Sequence, residues 1–178
     1  MIPSALVLAA LVLQQPGPRP SPAANAARLA AFDTSRAVLG EVGRAVGQVK
    51  SGIDVYRRAV FNGPDEEVLH NADFLRGACA GVDSVARRAV GRICRRCAEA
   101  DVQQAFDGYR QMLPTLARGT ARCAAQLWQL EQRHDGPARL RHDVRVIGNP
   151  LVATLRYYEA RLGVLLQALH ITPAVQSR

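Results

Sequence analysis

The sequence predicts an all-α protein, an antiparallel up-down-up-down four-helix bundle with disulfide staples, and three observations carry that expectation. Apolar residues recur at steps of three and four in four successive stripes, each closed by turn chemistry. Nothing in the chain reads as a strand. Four cysteines stand behind an apolar N-terminal stretch, the context in which an even count reads as disulfides.

The first stripe lies between Asn25 and Phe61: Leu29, Phe32, Leu39, Val42, Val46, Val49, Ile53, Tyr56 and Val60, with Arg36 in its one gap. Asn62-Gly63-Pro64-Asp65 stops it. The second runs Val68, Ala72, Leu75, Cys79, Val82, Ala86, Ala89, Ile93, Cys97, with Glu66 and Glu67 where the helix dipole favours negative charge. The third runs Val102, Phe106, Tyr109, Leu113, Leu116, Thr120, Cys123, Leu127, Leu130, and Asp101 with Gln104 reads as a capping box at its start. His134-Asp135-Gly136-Pro137 separates it from the fourth, Leu140, Val144, Ile147, Leu151, Leu155, Tyr158, Leu162, Leu165, Leu169. Helices of about 30 to 36 residues would each span roughly 45 to 54 Å. Matched lengths and short turns favour antiparallel neighbours at shallow angles. Pro114 and Pro150 fall inside the third and fourth stripes, where kinks are expected, and Gly148-Asn149-Pro150 is where a full break would fall.

Ordinary globular composition supports this reading: 48% hydrophobic, 21% charged and only 5% aromatic over 178 residues. The residues divide into a signal peptide and Pro-rich linker (1–23), a helical domain (24–172) and a C-terminal tail (173–178). The leader reading rests on the weakly polar to apolar stretch Met1–Leu13, its apolar part too short to span a bilayer, followed by Gln14-Gln15 and a Pro/Gly/Ser-rich segment. It has no Lys or Arg in its n-region. No second stretch reaches membrane length, so a soluble secreted protein is expected.

The cysteines are Cys79, Cys94, Cys97 and Cys123. If the second and third helices turn near position 101, Cys79 and Cys123 are equidistant from that turn and both lie on buried stripes. A Cys79–Cys123 staple follows, worth around 4 kcal/mol in the chain-entropy account. Cys94 and Cys97 are left to each other, closing a local bond at the corner. A redox-active pair needs a low thiolate pKa, which a helix C-terminus disfavours although the neighbouring arginines favour it. His70, His134, His142 and His170 have no spacing that completes a zinc site, so no metal or other cofactor is expected.

The net charge is +8, nearly all from arginine, since Lys50 is the one lysine. Arg87, Arg88, Arg92, Arg95 and Arg96 form the densest basic group and are the candidate anion-binding residues, with Arg88, Arg92 and Arg95 or Arg96 on one side of the second helix. The plainer reading is a solvated face, with Asp73, Asp83 and Glu99 too few to neutralise it. His142-Asp143 is adjacent on a helix, where neighbours point apart. Thr120, Thr154 and Arg36 either line a small polar pocket or sit at seam edges, and Trp128 and Tyr157-Tyr158 read as core or core-edge aromatics. No Gly-x-Ser-x-Gly nucleophile or phosphate-binding Gly-rich loop occurs. No catalytic residue is expected.

The layout of a leader, long helices, and Cys94-Arg-Arg-Cys97 followed by an acidic-start helix holding Phe106 resembles small secreted helical proteins of insects. These are the TsetseEP-domain proteins and the anopheline salivary complement inhibitors of the albicin type. Residues 79 to 123 carry the likeness; no further cysteine follows Phe106 promptly, and the chain is long for the second family. Plant pectin methylesterase and invertase inhibitors are also secreted four-cysteine bundles, but residues 24–78 here lack the cysteines of their first hairpin. No functional residue transfers from any of these. The expectation is a secreted, non-enzymatic binding protein, an inhibitor of an extracellular protein. Its alternatives are a carrier of small apolar ligands in a cavity near the prolines, or a polyanion (glycosaminoglycan) binder.

Overall fold

The structure, a computed structural model, describes residues 21–97 and 99–171. It is all-α over those residues, with α1 (Pro22–Asn62), α2 (Asp65–Ala89), α3 (Ala100–Glu131), α4 (Gly136–His142) and α5 (Val144–Ala168), and no strand among them. No described helix is long and apolar enough to cross a membrane. The expected signal peptide and C-terminal tail lie outside the described residues, apart from Ser21, Pro22 and Ala23. Ser21 caps α1, its hydroxyl accepting from the Ala24 N–H at 3.2 Å, so the helix starts within the expected linker.

The principal packing joins α1 to α2, α2 to α3, and α3 to α5, while α4 lies against α2 and α3. α1 and α5 meet along a looser seam. Tyr56, Leu75, Phe106, Tyr109, Leu116 and Leu165 are among the side chains fully enclosed between these helices. Burying large apolar side chains of this kind stabilises by about 1.5–3 kcal/mol each. Gly52 and Gly119 permit close approach: a Cβ on Gly52 would stand 3.1 Å from Leu75, and one on Gly119 2.6 Å from the Thr154 hydroxyl.

Four local expectations are corrected. In the first half of α1 the inward position is Ser35, fully buried, while Arg36 is exposed and Leu29 is 58% exposed. The stripe there runs Ala31, Ser35, Val38 and Val42, because the neighbour at that level is the compact connection before α3. The second helix ends at Ala89 rather than Cys97; Gly91, a poor helix former, follows, and Ile93 stays buried from an irregular segment. Asp101 lies in the first turn of α3 rather than capping it, and Glu99 holds the cap position.

The fourth stripe divides at Asp143 and not at Gly148-Asn149-Pro150. Tyr56 Oη donates to the Leu140 carbonyl at 2.8 Å, and that carbonyl would accept from the Val144 N–H in an unbroken helix. α3 and α5 pass through Pro114 and Pro150 without a break. Both prolines stand on exposed faces, so water reaches the carbonyls that lose their donors.

Candidate functional site

The two expected cysteine pairs come together in different states. Cys94 and Cys97 form a disulfide in the connection between α2 and α3, their Cα atoms 6.2 Å apart. The corner is tied to two helices. The Cys94 N–H donates to Ser35 Oγ on α1 at 3.3 Å, and the Cys97 N–H donates to Gln103 Oε1 on α3 at 2.6 Å. Arg110 on α3 donates to the Cys94 carbonyl. Arg28 on α1 closes the same end, pairing with Glu99 at 2.6 Å and Asp101 at 3.0 Å.

Cys79 and Cys123 face each other across α2 and α3 with their sulfurs 2.9 Å apart, both buried and both free thiols. That is longer than a disulfide, about 2.05 Å, so the expected staple is present as a juxtaposition and not as a bond. Hydrogen bonding to Cys123, with burial, pushes the Cys79 thiol far up and keeps it from acting as a nucleophile.

The arginine group does not form one face of a helix. Arg87 and Arg88 are in the last turn of α2, whereas Arg92, Arg95 and Arg96 lie in the irregular connection, because α2 ends at Ala89. Arg87 pairs with Asp83 at 2.6 Å and Arg92 with Glu41 at 2.9 Å, and Arg88 donates to Ser84. α2 itself is net negative, with three arginines against five acids. The connection holding Arg92, Arg95 and Arg96 has three arginines against Glu99, α1 carries six cations against three acids, and α5 three arginines against one glutamate.

Those two helices frame an open trough along their looser seam. One part, about 190 Å³, is lined by Lys50, Ile53, Asp54, Arg57, Leu155 and Arg156 among others. A second hollow of about 450 Å³ continues it with Phe61, Val144, Arg145 and Asn149, and Arg57 belongs to both. Lys50 crosses the seam to Glu159 at 2.5 Å. Arg57 is half-buried, its guanidinium 3.4 Å from where a Cβ on Gly148 would stand. Among the described residues, Arg57, Arg145 and Arg156 have no carboxylate at ion-pair distance. Sequence reasoning missed this site because its cations come from helices far apart in the chain and form no run.

Arg141 was also missed. It reaches from α4 to the C-terminus of α1, donating to the carbonyls of Val60 and Gly63 at 2.8 Å each and pairing with Asp65 at 2.8 Å. A cation there complements the helix dipole. His142 and Asp143 do meet, Nδ1 to Oδ1 at 2.7 Å, because the helix breaks between them; the imidazole is exposed. Thr120 donates to carbonyls of its own helix at 3.0 and 3.1 Å, as Thr154 does to Pro150 at 2.9 Å, so neither opens a polar pocket. Trp128 is half exposed with Arg76 over its ring at 5.4 Å, and Arg76 also pairs with Glu131 at 2.9 Å. Burial raises the Glu131 pKa against the opposing pull of Arg76. Tyr157 is at the surface, whereas Tyr158 is buried, its ring 6.0 Å from that of Tyr109.

No family model, curated protein or solved structure matches the chain.

Proposed function

We propose that the chain is a secreted, non-enzymatic binding protein, a four-helix bundle with a disulfide at one corner and a second cysteine pair poised to join, that engages an extracellular protein as an inhibitor. The observation that carries this reading is the Cys94–Cys97 disulfide, since such bonds persist in oxidising compartments and are rare where glutathione keeps thiols reduced. The approach of Cys79 to Cys123 supports it, because an oxidant would join them with little movement of α2 or α3. Phe61 and Trp128, each more than half exposed, are aromatic side chains of the kind that interface cores favour. The carrier reading draws no support from the prolines, beside which Met112, Leu113, Leu116 and Leu151 fill the core.

The test is expression of the full chain in secretory cell culture, followed by unfolding in an alkylating agent without reductant and intact-mass analysis. Protein in the medium with no alkylated cysteine is expected. Retention in the cells, or four alkylated cysteines, would overturn the reading. Two alkylated cysteines would remove the Cys79–Cys123 staple and leave secretion standing.

A further inference from the structure

We infer that the trough along the α1–α5 seam is a binding site for a sulfated glycosaminoglycan, with Arg57 at its centre and Arg145 and Arg156 along its side. The inference rests on the extracellular placement proposed above, which supplies the ligand.

Charge carries the first step. Lys50 and Arg57 of α1 and Arg145 and Arg156 of α5 line a shared groove, while α2, which holds part of the denser run of arginines in the sequence, is net negative. Pairing carries the second. Arg28, Arg76, Arg87, Arg92, Arg110, Arg139 and Arg141 all have acidic partners, so their charges are largely spent within the fold. Arg57, Arg145 and Arg156 have none among the described residues; other arginines, Arg95, Arg96, Arg118 and Arg122 among them, are unpaired too, but these three share one groove, whose acids are Asp54 and Glu159, the latter engaged by Lys50. A half-buried guanidinium without a carboxylate is a ready donor for charge-assisted, bidentate contacts to sulfate oxygens.

Shape carries the third. The trough is open and shallow, and its apolar floor of Ile53 and Leu155 is already buried against the core. It therefore lacks a deep pocket for the aromatic or aliphatic anchor that a protein partner would insert. Its cations are strung out instead: Arg145 and Arg156 lie about 16 Å apart along α5, with Arg57 on the opposite wall. A linear polyanion with repeated charges engages such a row, whereas a compact anion would use one member of it. Phe61, 69% exposed beside Arg57, adds a flat apolar surface for the carbon face of a sugar ring.

The experiment compares salt elution from immobilised heparin with elution from a plain sulfonate exchanger. Wild type is expected to need more salt on heparin than on sulfonate. R57Q/R156Q should lose most of that difference and, by counterion release, flatten the dependence of log affinity on log salt by about one for each contact removed. R118Q/R122Q, the same charge change on α3, should keep it. If R57Q/R156Q fails to give a native circular dichroism spectrum, R145Q and R156Q singly carry the same test, both positions being exposed.

No heparin excess in wild type, or equal losses in the groove and α3 variants, would overturn the proposal. So would a larger loss from R95Q/R96Q, or competition by polyglutamate as effective as by heparin, which would point to an acidic protein segment. The columns read folded protein wherever it was made, so failure of this site and failure of secretion show separately.

Discussion

The Tyr56 hydroxyl takes the Leu140 carbonyl at 2.8 Å, and both residues are buried where α1 meets α4. This bond removes from the helical ladder the acceptor that Val144 would have used, and it accounts for the division of the fourth helix at Asp143. Y56F should cost about 1–2 kcal/mol, the usual consequence of orphaning a buried acceptor. A thermal midpoint lower by roughly 3–6 °C is expected. Hydrogen exchange at the Val144 N–H should slow if the freed carbonyl rejoins the ladder. An unchanged midpoint would mean that the break is set elsewhere.

Gly119 and Thr154 define the closest approach of α3 to α5. A Cβ at 119 would fall 2.6 Å from Thr154 Oγ1 and 3.1 Å from its Cβ, so rotating the hydroxyl away does not relieve the clash. G119A should destabilise by roughly 1–2 kcal/mol, overpacking outweighing the gain of about 1 kcal/mol in helix propensity. Adding T154A should recover much of the loss. A G119A protein that melts higher than wild type would show that the helices separate freely.

His170 adopts φ 54° just beyond α5, where its N–H bonds the Gln167 carbonyl at 2.9 Å and that of Ile171 bonds Leu166 at 2.9 Å. This is a Schellman closure with a side chain in the position that suits glycine. H170G should raise stability by about 0.5–1 kcal/mol, and H170V should lower it. Chemical denaturation of the three proteins side by side reads the order, and a loss in H170G would refute the strain.

Arg141 seals the end of α1 through two carbonyls and Asp65. R141A should cost roughly 2–3 kcal/mol, the range for hydrogen bonds to a charged group, and R141K should recover only part because an ammonium lacks the planar fork. Exchange of amides in the last turn of α1 should accelerate more than in α3. Equal acceleration in both would mean that the cap acts only on global stability.

Spacing alone located the long stripes of α1, α2, α3 and α5, since a sustained three-and-four step leaves a helix no other way to bury its large side chains. It also brought Cys79 opposite Cys123. It failed wherever a side chain from a distant segment decided a local outcome. Reading α1 by its largest apolar residues selected Leu29 and skipped Ser35, whose buried hydroxyl answers the Cys94 N–H. The break at Asp143 follows from a bond between Leu140 and a tyrosine 84 positions before it in the chain. The trough arginines were illegible for the same reason: proximity in space, not in sequence, gathers them.

The Arg141 cap also has a consequence in time. A ribosome completes α1, α2 and α3 before it makes residue 141, so the emerging N-terminal helix waits with its last carbonyls unsealed until nearly four-fifths of the chain exists. During that interval the end of α1 depends on water, and a segment made three helices later completes it.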